Sequence, residues 1–150
     1  FFFSCIILAS NCFKEGAIKS QFIGESIAKH QTKKAIGAHQ IFLGQVRQDI
    51  IDEKEVMAIE YSAHMDIANK VFEEIREAAF AQFDLTCMHI YHSIGVVESG
   101  EICLFVFASS KHRKPVQKAI EFIVEEIKLK APIFGKELFE DESYTWKINK

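Results

Sequence analysis

Apolar residues recur at helical spacing after residue 109, and this is the clearest periodic signal in the chain. The apolar stripe consists of Val116, Ala119, Ile120, Ile123, Val124 and Ile127. Most remaining positions are polar, so the pattern predicts an amphipathic helix. Ser109 or Ser110 is predicted as its N-cap, and Pro115 fits its first turn. Pro132 is predicted to end it, because the residue before a proline avoids the α region.

Two further helices are predicted nearer the N-terminus. The first runs from Ser20, its predicted cap, to about His30, and its inward side chains are Phe22, Ile23 and Ile27. The second covers residues 64–83. Its predicted inward stripe is Ile67, Val71, Ile75 and Ala78 or Ala79.

Most remaining apolar runs are short and predict strands. They cover residues 35–47, 56–62, 85–94, 102–108, 133–139 and 144–148, and residues 1–13 are predicted as a first strand with an irregular beginning. The run 102–108 is apolar at every position, which predicts a central strand covered on both faces. The last two runs form a predicted hairpin around residues 141–143. Strands interleaved with three helices indicate an α+β fold with a mixed sheet.

Composition is that of an ordinary single-domain protein. The 150 residues are 49% apolar and 26% charged, so one domain covering residues 1–150 is expected, with an uncertain segment at 1–15. A net charge of −3 argues against general nucleic-acid binding. The apolar residues 1–13 are too short to span a membrane, although a clipped signal segment is an alternative interpretation of them.

Cysteine and histidine spacing indicates no metal site. The four cysteines show no CxxC spacing, which favours reduced thiols and a cytoplasmic location. His89 and His92 are three residues apart in a predicted strand. They should face opposite sides of the sheet and cannot hold one metal ion together.

Four consecutive basic residues, Lys111, His112, Arg113 and Lys114, precede the predicted C-terminal helix. An exposed cation at a helix N-terminus costs about 0.3–1 kcal/mol, because the helix dipole is already positive there. An anion such as a phosphate or carboxylate would reverse the sign of this interaction. The cluster therefore indicates an anion site, and the alternative is a solvated basic surface screened by salt.

Five blocks of sequence, in order and spacing, resemble the large, catalytic subunit of molybdopterin synthase, the MoaE family. The blocks are IGAHQIFLGQVR (36–47), AIEYSAHMDIA (58–68), HSIGVVESGE (92–101), SSKHRKPV (109–116) and KLKAPIFGKE (128–137). The resemblance covers residues 36–150. No single block is specific, but five in register are.

The resemblance implies an α/β-hammerhead fold and a central homodimer of large subunits. A small ubiquitin-like sulfur-carrier subunit binds on each side of this homodimer, which gives a heterotetramer. The implied reaction is sulfur transfer. The C-terminal Gly-Gly thiocarboxylate of the carrier enters a pocket of the large subunit. Two sulfurs then pass in turn to cyclic pyranopterin monophosphate, which makes the dithiolene of molybdopterin. No metal or redox cofactor is implied.

The resemblance also implies roles for individual residues. Arg47 corresponds to the phosphate-binding arginine of the family. His112 and Arg113 correspond to a His-Arg pair that completes the pocket from the neighbouring large subunit. Lys128 corresponds to the catalytic lysine nearest the carrier's C-terminus. Without the resemblance, Lys128 would be interpreted as a snorkelling lysine at a helix C-terminus and Arg47 as a surface arginine.

The chain departs from the family pattern after the last helix. The family commonly has two basic residues before glutamate, whereas this chain has Gly135 and Lys136. A glycine bulge could turn Lys136 onto the face that a side chain at 135 would use. Lys136 is therefore predicted as the second catalytic lysine. The alternative is an exposed Lys136 paired with Glu137 or Glu140, with Lys130 or Lys128 alone sufficient for the site. Ser62 and His64 replace a glutamate and a tyrosine, which affects pocket shape or packing.

Two other functions remain open from the sequence. A non-catalytic paralogue would keep the fold and bind a ubiquitin-like partner or a phosphorylated ligand without sulfur transfer. A phosphate-dependent enzyme of another type would rest on the basic cluster alone. The joint presence of Arg47, His112, Arg113 and Lys128 favours the synthase.

Overall fold

The structure, a computed structural model, describes residues 12–149. In chain order the elements are β1 (Phe13–Glu15), α1 (Ser20–His30), β2 (Ala38–Gln45), β3 (Ile50–Ile51), β4 (Lys54–Ala63), α2 (Met65–Gln82), β5 (Cys87–Glu98), β6 (Ile102–Ser110), α3 (Arg113–Lys130), β7 (Ile133–Phe139) and β8 (Tyr144–Trp146). The first strand predicted at residues 1–13 lies almost wholly outside the described residues.

One mixed sheet organises these elements. Its strand order is β2-β6-β5-β4-β7-β8, and neighbours on this path are antiparallel. Strand β1 adds to β5 in parallel, and β3 forms a short antiparallel pair with β4. The predicted α+β class, with a mixed sheet and three helices, is confirmed, and so is the closing β7–β8 hairpin.

The core lies on both faces of β6. Leu104, Val106 and Ala108 pack into the larger cluster, which also contains the apolar residues of α2 and α3. Phe105 and Phe107 face the other side, where Ile18 and α1 cover them. Alternate residues of a strand point to opposite faces, so a strand that is apolar throughout must be covered twice. The predicted central strand is confirmed.

Helix α3 begins later than the sequence suggested. Ser109 and Ser110 are the fully buried last residues of β6, paired with His39 and Ala38 of β2, and His112 is the N-cap. The predicted serine cap is wrong, because sheet pairing continues through both serines. The predicted apolar stripe, the place of Pro115 in the first turn and the end at Ala131 are confirmed.

The buried stripe of α2 matches its prediction at Ile75 and Ala79 and differs by one residue at its first two positions. Its buried members are Ala68, Phe72, Ile75 and Ala79. Ile67, predicted inward, is 49% exposed, whereas the ring of Phe72 packs 5.6 Å from that of Phe13. Strand β2 is also shorter than predicted, so Arg47 lies in the loop that follows it. None of the helices in residues 12–149 is long and apolar enough to cross a membrane.

Candidate active site

A cavity of about 370 Å³ lies at the C-terminal end of α3. Its walls come from the ends of α3 and β4, the middle of β5, the start of β7 and the segment after β8. Among the described residues, those that line it include two lysines, Lys128 and Lys147, and no carboxylate. The cavity therefore favours an anion over a cation.

Packing of α3 fixes the position of Lys128. Ile127 is 3% exposed and faces the core, so the next residue along the helix projects toward the rim. Lys128 lies in the last turn, where the negative end of the helix dipole favours a cation. The predicted location of Lys128 at the edge of the apolar stripe is confirmed.

His92 of β5 forms part of the cavity wall and is uncharged at neutral pH. Burial lowers its pKa to about 4, and the charge of Lys128 acts in the same direction. A hydrogen bond with the carbonyl of Ser93 opposes the shift, at 2.8 Å from Nδ1. Because a carbonyl only accepts, Nδ1 carries the proton and Nε2 is left as an acceptor.

Tyr61 of β4 is a second neutral polar group of the wall. Its hydroxyl donates to Sγ of Cys103 at 3.3 Å, and its ring packs edge-on to that of His92 with centroids 5.0 Å apart. Burial, followed by the proximity of Cys103, raises the pKa of Tyr61 far above its ordinary value. The formal charges of the wall are therefore those of the two lysines.

Strand β7 passes Gly135 without the predicted bulge. The register between β4 and β7 is unbroken from Ala58 opposite Leu138 to Ala63 opposite Ile133, and β8 continues the sheet on the other side. A Cβ atom at Gly135 would lie 3.0 Å from Cγ2 of Ile59, so this glycine serves close packing. Strand pairing on both sides keeps β7 regular, and the predicted irregularity is wrong.

Lys136 consequently faces away from Gly135 and does not line the cavity. Its ammonium lies 3.9 Å from Oε1 of Glu60, its partner in the sheet register. The same ammonium lies over the rings of Tyr144 and Trp146, 4.5 Å and 5.4 Å from their centroids. A catalytic role for Lys136 stays a prediction.

Arg47 lies beyond the end of β2 with its side chain 75% exposed. Its Nε and one terminal nitrogen bind the two carboxylate oxygens of Asp49 at 2.7 Å and 3.2 Å. This pairing raises the pKa of Arg47, and the more distant Glu137 adds to the effect. Arg47 is not among the described residues that line the cavity, so a role in binding the substrate phosphate stays a prediction.

His112 and Arg113 are exposed at the other end of α3. Arg113 is the first helical residue and Lys128 lies fifteen residues later, about 22 Å away at 1.5 Å per residue. A single chain thus brings Lys128 to the cavity but leaves the His-Arg pair far from it.

Sequence reasoning missed most of the wall, including its polar residues Tyr61, His92 and Lys147. Tyr61 reaches the cavity through its register opposite Gly135, and Lys147 through the β7–β8 hairpin. The spacing of residues along the chain predicts neither of these strand pairings. Within residues 12–149 there is no cluster of three or more side chains arranged to hold a metal ion.

Comparison with known proteins places the chain in a family. The model of the family described as MoaE protein matches residues 18–130. The molybdopterin synthase catalytic subunit of Aspergillus fumigatus is 34% identical over 81% of this chain and 64% of its own length. That of Pyrococcus abyssi is 35% identical over 77% of this chain and 76% of its own. The chain thus spans a little under two thirds of the fungal relative.

Solved structures agree with this fold. Molybdopterin synthase from Staphylococcus aureus superposes with a TM-score of 0.81 at 26% identity, covering 93% of this chain and 98% of that one. A complex of subunits 1 and 2 of molybdopterin-converting factor from Helicobacter pylori superposes with a TM-score of 0.78 at 20% identity, covering 92% and 90%. The fold expected from the resemblance is confirmed. With more than half of its residues matched by the family model, the chain belongs to the MoaE protein family.

Proposed function

We propose that this chain acts as the catalytic subunit of a molybdopterin synthase. It would transfer sulfur from the C-terminal thiocarboxylate of a carrier protein to cyclic pyranopterin monophosphate, and so make the dithiolene of molybdopterin. The observation that carries the proposal is the cavity beside Lys128, whose charged wall residues are cations and whose other polar residues are neutral. A thiocarboxylate is an anion, and lysine ammonium groups bind such groups through charge-assisted hydrogen bonds.

The chemistry needs fixed positive charge and a proton carrier. In each transfer a C–S bond forms on the pterin precursor as a C–O bond breaks, and the displaced oxygen leaves as water or stays on the phosphate. Water hydrolyses the acyl–sulfur bond to the carrier, whose terminus ends as a carboxylate. No electrons are gained or lost. In this proposal Lys128 contacts the reacting terminus and exchanges protons with it. Arg47 binds the substrate phosphate together with His112 and Arg113, which a second copy of the chain supplies.

The proposed partner is a small ubiquitin-like carrier ending in Gly-Gly, bound once by each subunit of a homodimer core. The complex of subunits 1 and 2 from Helicobacter pylori, which has a similar fold, supports a partner subunit. The buried thiols of Cys87 and Cys103 suit a reducing compartment, and the proposed location is the cytoplasm.

The decisive experiment is reconstitution. The purified chain is mixed with a Gly-Gly carrier from the same genome, activated as thiocarboxylate, and with cyclic pyranopterin monophosphate. The dithiolene product and the carboxylate form of the carrier are measured by mass spectrometry. Product is expected only when all three are present. Tight binding of the carrier without product would favour the alternative, a non-catalytic paralogue.

A further inference from the structure

Lys147 occupies the space beside the missing side chain of residue 135. Its backbone amide donates to the carbonyl of Gly135 at 2.8 Å, which keeps the segment after β8 paired to β7. A Cβ built on Gly135 would lie 3.7 Å from Cβ of Lys147. The two side chains would thus begin in van der Waals contact, and Lys147 lines the same cavity as Lys128.

The surroundings of Lys147 leave its charge without compensation from the wall. Among the described residues no carboxylate lines the cavity, and the nearby polar groups of Tyr61 and His92 are neutral. Two ammonium groups facing one cavity repel each other unless an anion lies between them. Lys136 does not line the cavity, and its ammonium is held 3.9 Å from Glu60 and over the rings of Tyr144 and Trp146.

We propose that Lys147 is the second cationic group of this cavity, and that with Lys128 it binds the anionic C-terminus of the sulfur donor in place of a side chain at position 135. This assignment rests on the proposed function for the identity of the donor. Its contribution is a charge-assisted hydrogen bond to the thiocarboxylate, and no covalent bond to Lys147 forms or breaks.

The fluorescence of Trp146 reports ligand binding in the cavity, because Trp146 lines the cavity and is the only tryptophan of the chain. The probes are a synthetic peptide ending in Gly-Gly thiocarboxylate and the same peptide ending in a neutral carboxamide. Their binding is followed by Trp146 fluorescence in the full chain. The wild-type chain should prefer the thiocarboxylate peptide. Lys147→Ala should lower the affinity for the thiocarboxylate peptide about tenfold, which is the lower end of the range for a hydrogen bond to a charged group. The affinity for the carboxamide peptide should not change.

Matched variants separate charge from position. Lys147→Arg should retain most of the thiocarboxylate preference, and Lys118→Ala, which removes an exposed lysine about 15 Å along the same helix from Lys128, should retain all of it. Inorganic phosphate is a further probe. If Lys147→Ala lowers the affinity for phosphate and not the affinity for the thiocarboxylate peptide, Lys147 binds the substrate phosphate. The assignment of Lys147 to the sulfur donor is then overturned. Equal affinity of the wild-type chain for both peptides also overturns it.

Sulfur transfer provides the second test. With the thiocarboxylated carrier, Lys147→Ala should raise KM for the carrier about tenfold or more. Adding Gly135→Lys to Lys147→Ala should restore part of the loss. Gly135→Ala in the same background creates the same crowding against Ile59 without the charge, and should restore nothing. Circular dichroism establishes that each variant is folded.

The outcomes separate this inference from the proposed function. A wild-type chain that makes no product with the carrier, yet shows the charge-dependent peptide binding lost in Lys147→Ala, refutes the synthase and leaves the anion site standing. If the wild-type chain makes product and Lys147→Ala has the same KM and the same peptide affinity, the role of Lys147 is refuted and the synthase function stands. A productive chain that loses transfer in Lys136→Ala and not in Lys147→Ala returns the role to Lys136.

Discussion

Arg113 and Lys128 lie at the two ends of one helix, fifteen residues and about 22 Å apart. One small anionic substrate cannot contact both within a single chain. The cavity lies at the Lys128 end, and the basic cluster 111–114 begins the helix at the other. If both ends serve one reaction, the second end must come from another copy of the chain. This is the physical argument for a dimer with shared sites.

The first prediction is therefore a homodimer whose sites combine residues of both subunits. Light scattering should give twice the chain mass, and a fully active monomer would refute it. A sharper test mixes Arg113→Ala and Lys128→Ala after reversible unfolding, and assays them at a substrate concentration far too low to saturate Arg113→Ala, where neither variant alone gives appreciable turnover. Half of the dimers are then mixed, and each has one site with both residues intact. Activity should recover to about a quarter of wild type, whereas residues acting within one chain would give no recovery.

Arg113→Ala tests the basic cluster separately. The side chain is exposed in the first helical turn, so the melting temperature should change little. Affinity for cyclic pyranopterin monophosphate should fall by about 1–3 kcal/mol, the range for a charge-assisted hydrogen bond. Calorimetric titration measures this, and Lys118→Ala is the matched control on the same helix. An unchanged affinity would show that the basic cluster is a solvated surface and does not bind the substrate.

Lys128→Ala should abolish most product formation while the fold persists and carrier binding stays largely intact, with a loss of carrier affinity no greater than the tenfold or so expected for Lys147→Ala. Lys128 is exposed, and its neighbour Ile127 makes the core contact, so the free energy of unfolding should change by about 0.5 kcal/mol or less. Lys130→Ala is the control, because it removes an exposed lysine paired only locally with Glu126 at 2.8 Å. Near-normal turnover with a lower melting temperature in Lys128→Ala would make this lysine structural.

The sequence predicts the fold where one periodicity dominates. The stripe from Val116 to Ile127 has a single helical phase, and prolines lie at both ends, so α3 is placed almost correctly. Helix α2 offers two phases, one through Ile67 and one through Ala68 and Phe72. Tertiary packing of Phe72 against Phe13 selects the second. Local pattern could not distinguish them, because both give an apolar face.

The site is only partly predictable, because its members meet through sheet register. The resemblance identified Lys128, but Lys147 and Tyr61 reach the same cavity through pairings with Gly135 that no local spacing announces. The prediction that a bulge at Gly135 rotates the Lys136 side chain toward the cavity was wrong for a related reason. A glycine permits a bulge, but whether one forms depends on the neighbouring strands, and here both pair regularly.

The last prediction concerns acid stability and follows from His92. Its pKa is about 4 in the folded chain, against an ordinary value of 6.5, with burial as the main cause. Between these values the unfolded chain binds more protons than the folded one, so the free energy of unfolding rises with pH. The stability from a neutral His92 is present above about pH 6.5 and is lost as the pH falls toward 4. The slope is up to about 1.4 kcal/mol per pH unit for each such histidine.

Urea denaturation of wild type and His92→Gln between pH 4.5 and 7.5 measures this slope. His89, whose pKa burial also lowers to about 4, and the carboxylates contribute to both proteins, so the difference between the two curves isolates His92. The substitution should cost stability at neutral pH, and the gap should narrow as the solution is acidified. Parallel curves for wild type and His92→Gln would mean that His92 does not titrate differently in the folded and unfolded chains.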